Sequence, residues 1–177
     1  MAIEGGRPNQ VLRISARSWG SATIPKKAAK HPRATRVQFG ALPYRRDDDG
    51  ALEILLVTSR ATRRWIIPKG WPIKGLTPRL AAAREAYEEA GVRGRVGGRA
   101  LGSYVYDKRL DNGGGVVPCE VRVFPLAVKR QLKAWPEASE RTTRWFSAAE
   151  AVNRVADEGL RELIREIGAP GPNPRRK

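Results

Sequence analysis

Several segments of the chain carry apolar residues in the patterns of β-strands. Residues 36–45 alternate between apolar and polar positions and residues 52–60 contain an apolar run, which predicts two strands joined by a turn at residues 47–50. Four further strands are predicted at residues 64–68, 95–106, 118–128 and 142–146.

A helix is predicted in the middle of the chain. Thr77 followed by Pro78 indicates an N-cap and a first turn, and the helix runs to about Ala90 and ends at Gly91. At about 100° per residue, its predicted apolar face consists of Leu80, Ala83, Tyr87 and Ala90.

Two helices are predicted near the C-terminus. Ser147 and Glu150 form the pattern of a capping box for a helix to about Ala156. Apolar residues then recur at helical spacing from Leu160 until Gly168. Because strands outnumber helices and the helices are separated along the chain, we expect a mixed sheet between helices, in an α+β or α/β/α layered fold.

Charge divides the chain into three parts. The 177 residues include 34 Lys and Arg against 18 Asp and Glu, a net charge of +16 that would attract a polyanion such as nucleic acid or polyphosphate, or an acidic membrane. Residues 1–35 hold seven basic residues and one acidic residue, and are interpreted as a flexible or loosely docked basic arm, although a transit peptide has a similar composition. Residues 169–177 are predicted to be a Pro-rich basic tail, which leaves residues 36–168 as the domain.

The single cysteine, Cys119, and the single histidine, His31, exclude several kinds of site. The chain cannot form an internal disulfide or a zinc site built from Cys and His, and a His general base is not expected. No apolar run approaches the roughly 18 residues that span a bilayer, and the N-terminus lacks the apolar core of a secretory signal. We therefore expect a cytoplasmic protein that does not enter a membrane.

The predicted central helix carries three carboxylates, Glu85, Glu88 and Glu89, within roughly 100° of arc. Glu85 and Glu89 are a like-charge pair at i, i+4, which destabilises an isolated helix unless something compensates them. Mg²⁺ or Mn²⁺ would do so, because both ions prefer oxygen ligands, and Arg84 can orient a carboxylate through paired hydrogen bonds. The alternative is a solvated Glu-rich face with Arg84 and Arg93 as neighbours.

The surrounding sequence closely resembles the signature of the Nudix hydrolase family. That signature is a Gly, five residues, Glu, seven residues, Arg-Glu, an apolar residue, any residue, Glu-Glu, any residue, Gly and an apolar residue. The matching positions are Gly70, Arg84, Glu85, Ala86, Glu88, Glu89, Gly91 and Val92. Leu76 stands where the signature has its first Glu, a residue that usually supports the loop and helix, so the departure affects loop anchoring more than activity.

The resemblance implies an α/β fold, a Nudix-type α/β/α sandwich with a mixed β-sheet, and hydrolysis of a pyrophosphate by attack of water on phosphorus. It also implies that Mg²⁺ (or Mn²⁺) binds at the signature, with Arg84 orienting one of the carboxylates. The implied metal ligands are Gly70, Glu85, Glu88 and Glu89.

A later loop offers a further carboxylate. Residues 135–146 resemble the corresponding region of the diphosphoinositol polyphosphate and diadenosine polyphosphate branch of the family. Glu137 and Glu140 precede the last predicted strand, and Glu140 is our candidate for a general base or an additional metal ligand. The alternative is a surface Glu140 paired with Arg141 or Arg144.

Basic residues around the loop before the central helix indicate the substrate class. The candidate phosphate-binding residues are Arg60, Arg63, Arg64, Lys69 and Lys74. Residues 67–72 resemble the Lys-Gly loop of the same branch, so the expected partner is a small-molecule polyphosphate such as a diadenosine polyphosphate, a diphosphoinositol polyphosphate or polyphosphate. A solvated basic loop is the alternative.

Three other functions remain open at this point. The basic ends could bind nucleic acid, an RNA-end pyrophosphohydrolase would combine that binding with hydrolysis, and Leu76 is compatible with a non-catalytic Nudix-fold sensor.

Overall fold

The fold is taken from a computed structural model, which describes residues 35–109 and 115–169. The helices and strands run from Arg36 to Gly168. Nearly all of the predicted basic arm (1–35) and Pro-rich tail (169–177) lies outside the described residues.

The described residues form one eight-stranded mixed sheet. Its strands are β1 (Arg36–Arg46), β2 (Leu52–Thr58), β3 (Trp65–Ile66), β4 (Lys69–Gly70), β5 (Val92–Val96), β6 (Gly102–Arg109), β7 (Val116–Gln131) and β8 (Thr143–Ser147). The main strand order is β3-β2-β1-β7-β5, while β4, β6 and β8 pair with β1, β7 and β2 respectively. The pairing of β1 with β7 is parallel and the other pairings are antiparallel, so the predicted mixed sheet is confirmed.

Helices cover both faces of the sheet, in the predicted α/β/α arrangement. Helix α1 (Pro78–Ala90) packs against one face over Phe39, Ala41 and neighbouring apolar residues. Helices α2 (Ala148–Arg154) and α3 (Glu158–Gly168) pack against the other face, where Leu42 and its neighbours are buried. Each face therefore has its own apolar core.

Several predicted boundaries change in the structure. The single strand predicted at residues 95–106 is two strands, β5 and β6, because the chain turns through Gly97 and Gly98 between them. The two-residue strand β4 was not predicted, since a segment that short has no period to detect. Helix α2 ends at Arg154 rather than near Ala156, because Val155 is extended and forms a bridge with β3.

Both predicted ends of α1 and the predicted start of α2 are confirmed in position. Thr77 is the N-cap of α1, although its side chain makes no capping hydrogen bond and its carbonyl accepts the amide protons of Leu80 and Ala81. Gly91 ends the helix with φ of 67°, a left-handed conformation that glycine adopts without steric cost. Ser147 and Glu150 form the predicted capping box of α2.

Of the predicted apolar face of α1, Ala90 is confirmed and the rest is wrong. Leu80 is 42% exposed and Ala83 and Tyr87 are half-buried, whereas the buried residues of the helix are Ala81, Ala82, Ala86, Glu89 and Ala90. Alanine has almost no side chain to show a hydrophobic period, so the sequence pattern pointed to Leu80 and Tyr87 instead. The consequence for function is that Glu89 faces the interior, between the helix and the sheet.

Candidate active site

Glu89 is a buried carboxylate with two partners. One oxygen, Oε2, accepts the backbone N–H of Lys69 in β4 at 3.2 Å, and Oε1 pairs with the guanidinium of Arg141. Burial raises the pKa of Glu89, while the positive charge of Arg141 opposes that shift. The helix, the short strand β4 and the segment before β8 therefore meet at this carboxylate.

Arg141 is the residue that holds this part of the site together. Only 6% of its side chain is exposed. Besides Glu89, its Nε donates to Glu137 Oε2 at 2.6 Å and a terminal nitrogen donates to the carbonyl of Thr58 at 3.1 Å. From the sequence, Arg141 is expected only as a partner of Glu140, because no local spacing connects it with Glu89, 52 positions earlier.

The loop of residues 132–142, which we call the docking loop, is fixed to the C-terminal end of α1. The amide of Leu132 donates to the carbonyl of Gly91 at 2.8 Å, and the amide of Glu137 donates to the carbonyl of Glu88 at 3.1 Å. The ring of Trp135 lies so close to Gly91 that a Cβ there would be 2.6 Å from it. These contacts bring Glu137 to the acidic face of the helix.

Glu140, the predicted base, is more exposed than Glu137, and both carboxylates lie near Arg60. Glu140 Oε2 accepts a hydrogen bond from Arg60 at 3.1 Å, whereas Arg141 bonds to Glu137. The structure thus pairs Glu140 with Arg60 rather than with Arg141 or Arg144, and its predicted role as a base stays a prediction.

Glu85 lies directly against Gly70. A Cβ at Gly70 would be 2.0 Å from Glu85 Oε1, so only glycine lets the carboxylate occupy this position. Burial, followed by the negative charges of Glu89, Glu88 and Glu137, raises the pKa of Glu85 to about 7. The first and second halves of the predicted signature are therefore in contact in the fold.

Arg84 contacts the third carboxylate of the helix. Its Nε donates to Glu88 Oε1 at 2.5 Å, and both side chains are accessible to solvent. The structure therefore places Arg84 where it can orient Glu88, in agreement with the position expected for a residue that holds a carboxylate of the signature.

Two of the predicted phosphate-binding residues contact the docking loop. Arg60 bonds to Glu140, and Arg63 donates to the carbonyl of Glu140 at 2.8 Å and to Thr142 Oγ1 at 2.9 Å. Arg64 bonds locally to Thr62 Oγ1 at 3.2 Å, and Lys74 is exposed in the loop before α1.

Lys69 has a different environment from the other four predicted phosphate-binding residues. Successive residues of a strand point to opposite faces of the sheet. Gly70 faces Glu85, so the side chain of its neighbour Lys69 lies on the other face of the sheet. Its Nζ is 5.1 Å from the centroid of the Tyr106 ring. Burial lowers the pKa of Lys69 to about 8, although the charges of Glu89 and Asp157 oppose this shift.

Lys69 belongs to a group of cations and aromatic rings that sequence analysis did not find. The guanidinium of Arg36 lies 4.2 Å from the Trp71 ring centroid, and Lys108 Nζ lies 5.0 Å from the same centroid. We call Arg36, Lys69, Trp71, Tyr106 and Lys108 the Trp71 cluster. Its members come from β1, β4, β6 and the loop after β4, so only the folded sheet brings them together.

Two buried hydroxyl groups lie beside the Trp71 cluster. The hydroxyl of Tyr106 donates to Gln38 Oε1 at 2.7 Å, whereas the buried hydroxyl of Tyr104 has no hydrogen-bond partner among the described residues. A buried polar group without a partner is costly, and a bound ligand could supply one.

Comparison with known proteins identifies the family. The NUDIX domain matches residues 34–167 of the chain. This chain belongs to the Nudix family. It is 32% identical over 143 residues to Nudix hydrolase 16, mitochondrial, of Arabidopsis thaliana, and the alignment covers 75% of this chain and 79% of that relative.

Two further proteins place the Nudix domain among its relatives. Diphosphoinositol polyphosphate phosphohydrolase 3-alpha of Mus musculus is 38% identical over 103 residues, which cover 56% of this chain and 58% of the relative. The solved structure of a C. elegans Ap4A hydrolase binary complex superposes with a TM-score of 0.56 at 20% identity, covering 75% of this chain and 95% of that one. The second match shows the shared fold.

The family relationship confirms the predicted class of enzyme. This Nudix protein is a hydrolase that acts on acid anhydrides in phosphorus-containing compounds. None of the helices in the described part of the chain is long and apolar enough to span a membrane.

Nudix hydrolases generally use divalent metal ions, and the donor set of this site fits such an ion. Within residues 35–109 and 115–169 no three acidic, His or Cys side chains form a preassembled metal site, and Arg84 and Arg141 pair with Glu88 and Glu89. The chemistry of the donors is nevertheless that of a hard cation, since all are carboxylates. After burial, the negative charges of Glu89, Glu88 and Glu137 raise the pKa of Glu85, and a divalent cation would neutralise this repulsion.

Proposed function

We propose that this protein is a pyrophosphohydrolase that uses Mg²⁺ (or Mn²⁺) to cleave a phosphoanhydride bond of a small polyanion. Diadenosine polyphosphates, diphosphoinositol polyphosphates and polyphosphate are the substrate classes. The supporting observation is that residues 69–71 connect an acidic site with a cationic one. The amide of Lys69 binds Glu89, Gly70 faces Glu85, and Trp71 lies between two cations.

In this proposal the active site has an acidic half and a cationic half, and the acidic half supplies the metal site. Glu85, Glu88 and Glu89, together with Gly70, would hold the cation at the signature positions. When bound there, the cation would neutralise phosphate oxygens and lower the pKa of a water molecule. Arg84 and Arg141 orient Glu88 and Glu89, which fixes the direction of their oxygens.

A carboxylate of the docking loop completes the acidic half. Glu140 is the predicted base, and Glu137 is a second candidate because its backbone amide bonds to the carbonyl of Glu88. Comparing Glu137→Gln with Glu140→Gln separates the two candidates: the variant with the larger loss of kcat at unchanged KM identifies the base.

The Trp71 cluster supplies the phosphate-binding half. The ammonium group of Lys69 is protonated below pH about 8, so it can bind phosphate oxygens at neutral pH. Arg36 and Lys108 add two cations beside the Trp71 ring, which supply further positive charge for phosphate oxygens. The mouse relative is named as a hydrolase of diphosphoinositol polyphosphate and the nematode protein as a hydrolase of Ap4A, which supports this substrate class.

The test is phosphate release from a panel of substrates. Diadenosine tetraphosphate, a diphosphoinositol polyphosphate, inorganic polyphosphate and a nucleotide sugar are compared with Mg²⁺, with Mn²⁺ and with EDTA. We expect metal-dependent hydrolysis of at least one of the first three and little hydrolysis of the nucleotide sugar. Preference for the nucleotide sugar would contradict the substrate class, and hydrolysis that persists in EDTA would contradict the metal.

Variants of the Trp71 cluster sharpen the same test. Arg36→Ala and Lys108→Ala should each raise KM several-fold, because each removes a cation from the proposed phosphate site. Arg99→Ala removes an exposed cation from the loop between β5 and β6 and serves as the control. Equal effects of all three substitutions would mean that the cluster does not bind the substrate.

A further inference from the structure

A second cationic surface lies at the edge of the sheet formed by β5. A groove of about 500 Å³ is lined by Arg93, Gly94, Arg95, Lys129 and Arg130. All four cationic residues are exposed. We call these five residues the edge groove.

A β-bulge brings these side chains together. Arg93 pairs with Arg130 but the next residue, Gly94, pairs with Val128, so Lys129 is an extra residue in β7. A bulge re-aims side chains, which explains how the consecutive residues Lys129 and Arg130 both line one groove. Glycine is required at position 94, because a Cβ there would lie 1.9 Å from the carbonyl oxygen of Ala127.

The positive charge of the edge groove is not balanced within the described part of the chain. None of its four cations forms an ion pair within 4.0 Å with a described carboxylate, although several other arginines do. Arg93 instead stacks on the ring of Tyr87, 4.5 Å from its centroid. Basic residues also protect an edge strand from pairing with other chains, but that purpose does not require a bulge that gathers four cations around a concavity.

The edge groove is separate from the Trp71 cluster, the phosphate-binding half of the proposed catalytic site. Strand β5 pairs with the C-terminal part of β7, from Leu126 to Gln131, whereas β6, which carries two residues of the Trp71 cluster, pairs with the N-terminal part up to Val123. A ligand in the groove would therefore leave the Trp71 cluster free.

We propose that the edge groove binds the phosphate backbone of a single-stranded nucleic acid. The groove is open and follows an edge strand, which suits a linear ligand better than a compact one. Guanidinium groups bind phosphate oxygens in pairs, and the guanidinium of Arg93, which lies over the half-buried ring of Tyr87, presents a flat cation on which a base can stack. A flat cation held on a ring favours nucleic acid over inorganic polyphosphate, which has no base to stack.

The experiment measures the affinity of the full chain for a fluorescently labelled oligouridine RNA of 20 nucleotides. Binding is followed by fluorescence anisotropy over a series of NaCl concentrations. The test variant is Arg95→Ala/Lys129→Ala, and the matched control is Arg46→Ala/Arg154→Ala, which removes two exposed cations elsewhere. We assume that each groove cation neutralises one phosphate. The slope of log affinity against log salt should then be about 1.4 smaller in magnitude for the test variant than for the wild type, and the affinity at 0.1 M salt should be about 25-fold lower. The control variant should keep the slope of the wild type.

Two additional measurements make the result specific. Tyr87→Ala should weaken RNA binding about fivefold or more while Tyr87→Phe retains it, because the stacking of Arg93 requires only a ring. Hydrolysis of a small polyphosphate by Arg95→Ala/Lys129→Ala should stay at the wild-type rate, which separates this site from the proposed function.

Several results would overturn the proposal. Equal losses in the test and control variants would mean that net charge alone drives binding. Displacement of the RNA by inorganic polyphosphate with unchanged affinity in Tyr87→Ala would identify the ligand as a polyphosphate. A wild-type protein that does not bind the RNA even at 0.05 M salt would exclude the site as a nucleic-acid interface.

Discussion

Arg141→Met tests whether the buried arginine organises the acidic site. The substitution removes the cation that pairs with Glu89 and Glu137 and that donates to the carbonyl of Thr58. The side chains of Arg141 and Glu89 are 6% and 7% exposed, so Glu89 is left as a buried carboxylate without its cation. Breaking a buried pair in this way typically costs about 3–5 kcal/mol in free energy of unfolding.

Urea unfolding of metal-free protein in EDTA at neutral pH measures this loss, provided that the m-value stays constant. Arg141→Met/Glu89→Gln removes the stranded charge as well, so it should recover more than half of the stability lost in Arg141→Met. Arg84→Met is the control, because it breaks a solvent-exposed ion pair on the same helix and should leave stability nearly unchanged. A loss below about 1 kcal/mol in Arg141→Met, or one no larger than in Arg84→Met, would refute the reasoning.

Three further predictions concern the Nudix signature. Because the pKa of Glu85 is raised from 4.5 to about 7, the metal-free native protein holds a proton that the unfolded chain has lost, so stability should fall as pH rises through this range. Glu85→Gln should flatten that slope in urea unfolding at pH 5 and pH 8, and an unchanged slope would show that another group titrates. Gly70→Ala should lower turnover on the order of 100-fold with little change in the urea midpoint, because the methyl group displaces the Glu85 carboxylate. Gly98→Ala, which meets nothing within 4 Å, should leave turnover unchanged, and similar activities of the two variants would contradict the close contact. Leu76 is 39% exposed, so Leu76→Glu should change kcat/KM less than about fivefold; activity created by this substitution in an otherwise inactive protein would favour the non-catalytic sensor.

The features that were predictable from sequence are those encoded within a few residues. Gly91 ends α1 because it adopts a left-handed conformation, and Ser147 with Glu150 starts α2 through a local capping box. The signature carboxylates also lie within one helix, so their shared face followed from the helical period alone.

The features that were not predictable depend on contacts between distant segments. Glu89 and Arg141 are 52 positions apart, and neither the burial of a carboxylate nor its partner has a local sequence signal. The Trp71 cluster is similarly assembled by strands that are far apart in the sequence, for example by Arg36 in β1 and Lys108 in β6. Burial of Glu89 was missed for a further reason: the α1 face that packs on the sheet is made mostly of alanine.

The most direct test of a metal-dependent carboxylate site is the rate of phosphate release by Glu88→Gln in saturating Mg²⁺, on the best substrate of the panel. Glu88 is solvent-accessible and paired with the exposed Arg84, so its neutralisation should leave the fold intact by circular dichroism. Glu120→Gln provides the control, because Glu120 forms a comparable surface pair with Arg122 outside the signature. We predict a loss of kcat on the order of 100-fold or more for Glu88→Gln and a wild-type rate for Glu120→Gln. A Glu88→Gln protein that is folded and hydrolyses the substrate at the wild-type rate would contradict the assignment of these carboxylates to the metal.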